Sequence, residues 1–97
     1  MLRITTPKDI IWAEISTNDE VNGIINGIND SLSKNNIFLN NEFSYTVELE
    51  EELNQRSLSL LKFAFKEYGW NIIGKKIIKE KNVEYNFKLI VINPIFL

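Results

Sequence analysis

The segment Val83-Glu84-Tyr85-Asn86-Phe87-Lys88-Leu89-Ile90-Val91-Ile92 begins as a clean alternation and then abandons it. Val83, Tyr85, Phe87, Leu89 and Val91 share one face of an extended strand. Glu84, Asn86 and Lys88 take the other, until Ile90 and Ile92 make that face apolar as well. A strand that starts half-solvated and ends apolar on both sides needs cover at that end. The chain has only 97 residues, enough for one domain, residues 1–97, and for little spare structure. The cover is therefore either the N-terminal helical segment or a second copy of the chain.

The remaining elements follow from periodicity. Thr6-Pro7-Lys8-Asp9 reads as a helix start, with Thr6 as cap and Pro7 at the first helical position, where its missing N–H costs nothing. Val21, Ile24, Ile25, Ile28 and Leu32 form one helical stripe that runs back to Ile15 and Ile11. This predicts a long N-terminal helix over about 7–33, within a helical segment 1–34. Thr17 and Glu20 have capping-box spacing, so a break or kink near Thr17 is the alternative. A strand at 10–15 is the competing assignment. Phe43, Tyr45, Val47 and Leu49 alternate with Ser44, Thr46 and Glu48 as a strand. Glu50-Glu51-Glu52 places negative charge where a helix would begin. Ser57, Leu58, Leu61, Ala64, Phe65 and Tyr68 then share a face of a helix predicted over about 51–68 and closed by Gly69. Phe63 lies off that face. Either a neighbouring helix covers it or it is a partner contact. The doublets Ile72-Ile73 and Ile77-Ile78 disturb the alternation of the next strand, and a bulge near Gly74 would repair it. Glu80-Lys81-Asn82 is the turn into the last strand.

These elements define an α+β fold: the N-terminal helix, then a β-α-β-β unit over 42–93. The strand–helix–strand crossover makes the first two strands parallel. The third is the most apolar and belongs in the centre, antiparallel to both. The expected sheet is three-stranded and mixed, of order 1-3-2, with the helices on one face.

Chemistry is sparse. There is no histidine and no cysteine, which removes the commonest base, thiolate and transition-metal ligands. Glycine-rich phosphate loops are absent. Glu48 and Glu50 are spaced like a pair of hydrolase carboxylates, but with no cleft in view they read as part of a solvated strand face and not as an acid–base pair. No catalytic, cofactor or metal residue is assigned, and the expected protein is not an enzyme. Trp12 is read as a core or interface residue. No apolar run is long enough for a membrane helix, and no signal-peptide core follows Met1. Residues 1–60 carry four basic and ten acidic side chains, net −6; residues 61–97 carry seven basic and three acidic, net +4. The plain reading is solvated charge on each half; the sharper one is pairing of acidic and basic patches between copies. Lys75, Lys76, Lys79, Lys81 and Lys88 form a basic hairpin that could meet phosphates, which makes nucleic acid or a nucleotide a secondary partner.

The opening Ile4-Thr5-Thr6, the strand Glu42-Phe43-Ser44-Tyr45-Thr46-Val47 and the helix end Gly69-Trp70-Asn71-Ile72 resemble a group of small uncharacterised bacteriophage proteins. The resemblance spans most of the chain, although the group often ends in an Ile-Ser-Trp strand where this chain has Val91-Ile92-Asn93-Pro94. It implies a phage origin, this fold, and a place in the host cytoplasm or the virion. It carries over no functional residue. The combined expectation is a non-enzymatic virion component or accessory factor acting by protein–protein association, as a homo-oligomer or in a larger assembly. Its expected contacts are Phe63, Ile90, Ile92 and the apolar tail Ile95, Phe96 and Leu97. The alternative is an anti-defence binder of a host protein or nucleotide signal.

Overall fold

A computed structural model describes residues 4–34 and 42–92. The elements run α1 (Pro7–Thr17), α2 (Asp19–Lys34), β1 (Glu42–Leu49), α3 (Gln55–Glu67), β2 (Trp70–Ile78) and β3 (Val83–Val91). The fold is α+β, with a three-stranded sheet of order β1-β3-β2.

The single long N-terminal helix is replaced by two. α1 starts as expected: the Asp9 N–H donates to Thr6 Oγ1, the Thr6 N–H donates to the Asp9 carboxylate, and Pro7 occupies the first turn. It stops at Asn18, which is extended (φ −98, ψ 99). Asn18 serves both helices. Its N–H donates to Ile15 O, and its side-chain oxygen accepts from the Val21 N–H at 3.0 Å. The Asn22 amide then donates to the Ile15, Ser16 and Asn18 carbonyls at the end of α1. Two asparagines thus satisfy orphan groups at both termini, which stabilises the break. The cap is Asn18, one residue beyond Thr17.

α3 also begins later than the acidic run suggests. Leu53 is buried and its N–H donates to the Tyr85 hydroxyl at 2.9 Å, which holds the chain against the sheet before any helix can start. Asn54 then caps the Ser57 N–H at 2.8 Å. Glu50, Glu51 and Glu52 therefore precede the helix. At the other end Gly69 adopts φ 91, the left-handed conformation that glycine takes without a Cβ clash. Ser57, Leu60, Leu61, Ala64 and Phe65 form the buried face of α3, while Tyr68, expected on it, sits at the cap and is exposed.

Both hydrogen-bonded strand pairs are antiparallel, so the sheet is not mixed in its pairing. β1 and β2 point the same way but never touch, because β3 lies between them. The pairing of β2 with β3 is continuous from Trp70↔Val91 to Ile78↔Val83, with no bulge at Gly74. Gly74 stands opposite Phe87, and a Cβ there would lie 3.0 Å from the Phe87 ring. The glycine makes room for a buried aromatic ring. The doublets resolve simply: Ile72 faces the core, while Ile73 and Ile77 face away from it and are exposed.

The core lies between the helices and one sheet face. Val83, Tyr85, Phe87 and Leu89 of β3 meet Ile15, Val21, Ile24 and Ile28 from α1 and α2 and the buried face of α3. Tyr85 and Phe87 stack at 5.6 Å. α1 runs antiparallel beside α3: Lys8 pairs with Glu67 at one end and Glu14 with Arg56 at the other.

Candidate functional site

Among the described residues no helix lies on the opposite face of the sheet. Across it run Glu42, Ser44, Thr46 and Glu48 of β1, then Ile90, Lys88, Asn86 and Glu84 of β3, then Asn71, Ile73, Lys75 and Ile77 of β2. Strand alternation puts them on one surface because their neighbours in sequence are the core residues. At the hairpin end this surface is a polar network. The Lys79 ammonium bridges Glu48 and Glu84, each at 3.0 Å. Asn82 donates to Glu48, Thr46 donates to Asn86, and Asn86 donates to Glu84. The Lys79 hydrogen bond holds the Glu84 carboxyl below the usual carboxylate range, and those to Glu84 and Glu48 hold Lys79 above the usual lysine range. Toward the other end the surface turns apolar: Ile73 is 56% exposed and Ile90 is half-buried beside it.

The five hairpin lysines do not form one free basic patch. Lys76 pairs with Glu52 at 2.8 Å, and its hydrogen bond with that carboxylate raises its pKa. Lys79 pairs as above, and Lys88 pairs with Glu42 at 3.3 Å. Lys75 and Lys81 make no ion pair among the described residues. The opposite charges of the two chain halves thus meet inside one molecule at three places. Apart from Glu84, the carboxylates that meet these lysines come from β1 and the loop after it, which no local charge count reveals.

Of the expected contact residues, Phe63 packs edge-on against Trp12 at 5.6 Å, so the neighbouring helix engages it. Ile90 and Ile92 are both half-buried, and the Ile92 N–H donates to Gly69 O. Ile95, Phe96 and Leu97 lie outside the described residues.

A second feature escaped the sequence reading. Trp12, Tyr68 and Trp70 stand around a recess of about 160 Å³ closed by Ile25, Ala64 and Phe65. Trp12 also meets Tyr68 edge-on at 5.9 Å. Both tryptophans of the chain line it. Its walls come from α1, α2, α3 and β2, so the aromatic residues that line it are scattered over separate segments of the sequence. Among the described residues no group of three or more acidic, His or Cys side chains is placed to hold a metal. Among the described residues no helix is long and apolar enough to cross a membrane.

No family model, no curated protein and no solved structure matches this chain.

Proposed function

We propose that this protein acts by associating with protein, other copies of itself included, and catalyses no reaction. The observation that carries this reading is the one-sided sheet. The described helices pack on a single face, and the other face presents Ile73, 56% exposed, diagonal to half-buried Ile90, with Ile77, 42% exposed, further along the same strand beside Glu84. Exposed isoleucines interspersed with polar residues on an uncovered sheet face are the ordinary composition of a protein contact surface. The sequence likeness to small phage proteins supplies the setting: a virion component or an accessory factor in the host cytoplasm.

The alternative is capture of a host protein or a nucleotide signal by the lysine hairpin. Lys75 and Lys81 favour it, since both lack an ion-pair partner among the described residues. The carboxylates on Lys76, Lys79 and Lys88 weigh against it, because an incoming phosphate would have to displace them. Light scattering separates the two readings. Association predicts a mass above the 11.3 kDa of one chain, rising with concentration, and a return to one chain in Ile73→Lys with the circular dichroism unchanged. A strictly monomeric wild type that binds nucleotide, with affinity falling steeply in salt, would favour the alternative.

A further inference from the structure

We propose that the aromatic recess binds the methylated ammonium head of a small soluble molecule; this goes beyond the association reading and does not rest on it. Seven residues line the recess, and four of them are aromatic: Trp12, Phe65, Tyr68 and Trp70. No lysine, arginine, aspartate or glutamate lines it. Tyr68 is 76% exposed, yet its ring is held, edge-on to Trp12 at 5.9 Å and at 70° to it. Trp12 is held in turn by Phe63, edge-on at 5.6 Å. In an edge-on pair the ring that supplies its edge keeps both faces clear of its partner. Trp70 opens β2 opposite Val91, and Phe65 belongs to the buried face of α3. The walls are therefore set before a ligand arrives, which lowers the cost of binding.

Size and wall chemistry select the occupant. A cavity of about 150 Å³ accepts one benzene molecule. This recess, at about 160 Å³, therefore holds one compact group and little more. A neutral group would be served as well by aliphatic walls. Aromatic rings add a negative face that attracts a cation, tryptophan most strongly, and both tryptophans of the chain are here. An anion would be repelled by those faces and would meet no cationic side chain in the lining. A bare ammonium such as that of lysine would bring three N–H donors to a recess where Asn29 supplies the only side-chain carbonyl. Donors left unpaired there would be costly. A quaternary ammonium has no N–H to satisfy and presents only methyl groups to the rings. The surrounding charge does not oppose it: Lys8, one turn before Trp12 on α1, is paired with Glu67 at 3.1 Å.

Choline and its neutral carbon isostere, in which a tert-butyl group replaces the trimethylammonium, test this on the intact chain. Tryptophan fluorescence reports occupancy and calorimetry gives the affinity, with sodium chloride at matched ionic strength as the control. Choline is expected to bind saturably and about tenfold more tightly than the isostere, a ratio that a desolvated cation–π contact supplies. Tyr68→Leu changes an exposed position at the helix cap and keeps apolar bulk. It should weaken choline about threefold and leave the isostere unchanged. Trp70→Leu should weaken choline about tenfold, again sparing the isostere. Circular dichroism checks its fold, and Tyr68→Leu carries the test if Trp70→Leu does not fold. An isostere that binds as well as choline means that the rings act as plain apolar surface, and it overturns the proposal. Choline affinity unchanged in both variants, or a choline response no different from that of sodium chloride, overturns it too. Binding to phosphatidylcholine vesicles without binding of free choline would assign the recess to a lipid surface and overturn the soluble ligand.

Discussion

The two faces of β3 differ in what holds them. On one, Val83, Tyr85, Phe87 and Leu89 are at most 7% exposed and locked among helices. On the other, Glu84, Asn86 and Lys88 are tied to neighbouring strands by exposed hydrogen bonds and ion pairs. Hydrophobic burial holds the first, and contacts worth little in water organise the second. The same strand is thus a core element on one side and an available surface on the other. Substitutions should read that difference directly.

The largest effect is expected at Leu89, fully buried at the centre of the closed face. Leu89→Ala should lower unfolding free energy by about 2–5 kcal/mol, from lost burial and the cavity left behind. Ile73→Ala, one strand away on the open face, should change it by less than about 0.5 kcal/mol. Urea denaturation of both variants measures the contrast. Equal losses would mean that the open face is covered.

Gly74 sharpens the comparison within one strand. Gly74→Val puts a branched side chain against the Phe87 ring, itself 2% exposed and stacked on Tyr85. Overpacking should cost about 1–3 kcal/mol, seen as a drop in melting temperature of at least about 4 °C. Lys75→Val, the next residue but on the open face, should cost far less.

Much of this layering was legible in the sequence, because strand alternation is written residue by residue. Phe43 to Leu49 and Val83 to Val91 each declare their two faces, and the apolar content of β3 placed it centrally. What was not legible depends on partners distant in the chain. The acidic run at Glu50 looks like a helix start until the Tyr85 hydroxyl is seen holding Leu53. Gly74 looks like a bulge until Phe87 is found beside it. The asparagines near Asn18 look like weak helix formers, yet Asn18 and Asn22 together cap two helices. The lysine hairpin looks like a free basic patch because Glu42, Glu48 and Glu52 lie more than twenty residues away in sequence. The aromatic recess draws on four elements, so no single segment announces it.

The smallest effect belongs to the open-face network and is told by its pH dependence. Hydrogen bonding from the Lys79 ammonium lowers the folded-state pKa of Glu84, and Lys79 itself is raised by Glu84 and then Glu48. A lowered carboxyl contributes stability that is fully present above its unfolded pKa, about 4.3, and is lost as pH falls through the lower folded value. A raised lysine contributes stability that is present below its unfolded pKa, about 10.4, and is lost as pH rises through the higher folded value. Glu84→Gln removes the Glu84 contribution and the part of the Lys79 contribution that Glu84 supplies, leaves the Lys79–Glu48 pair, and keeps the shape. The stability difference between wild type and this variant should therefore be small and flat from about pH 6 to 9, and should shrink in acid and again in strong alkali. It should also shrink in high salt, since the groups are exposed to screening ions. Urea midpoints across that pH range make the measurement. A difference that stays constant into acid would mean that Glu84 acts by packing alone, and the open face would then resemble the closed one more than its ion pairs suggest.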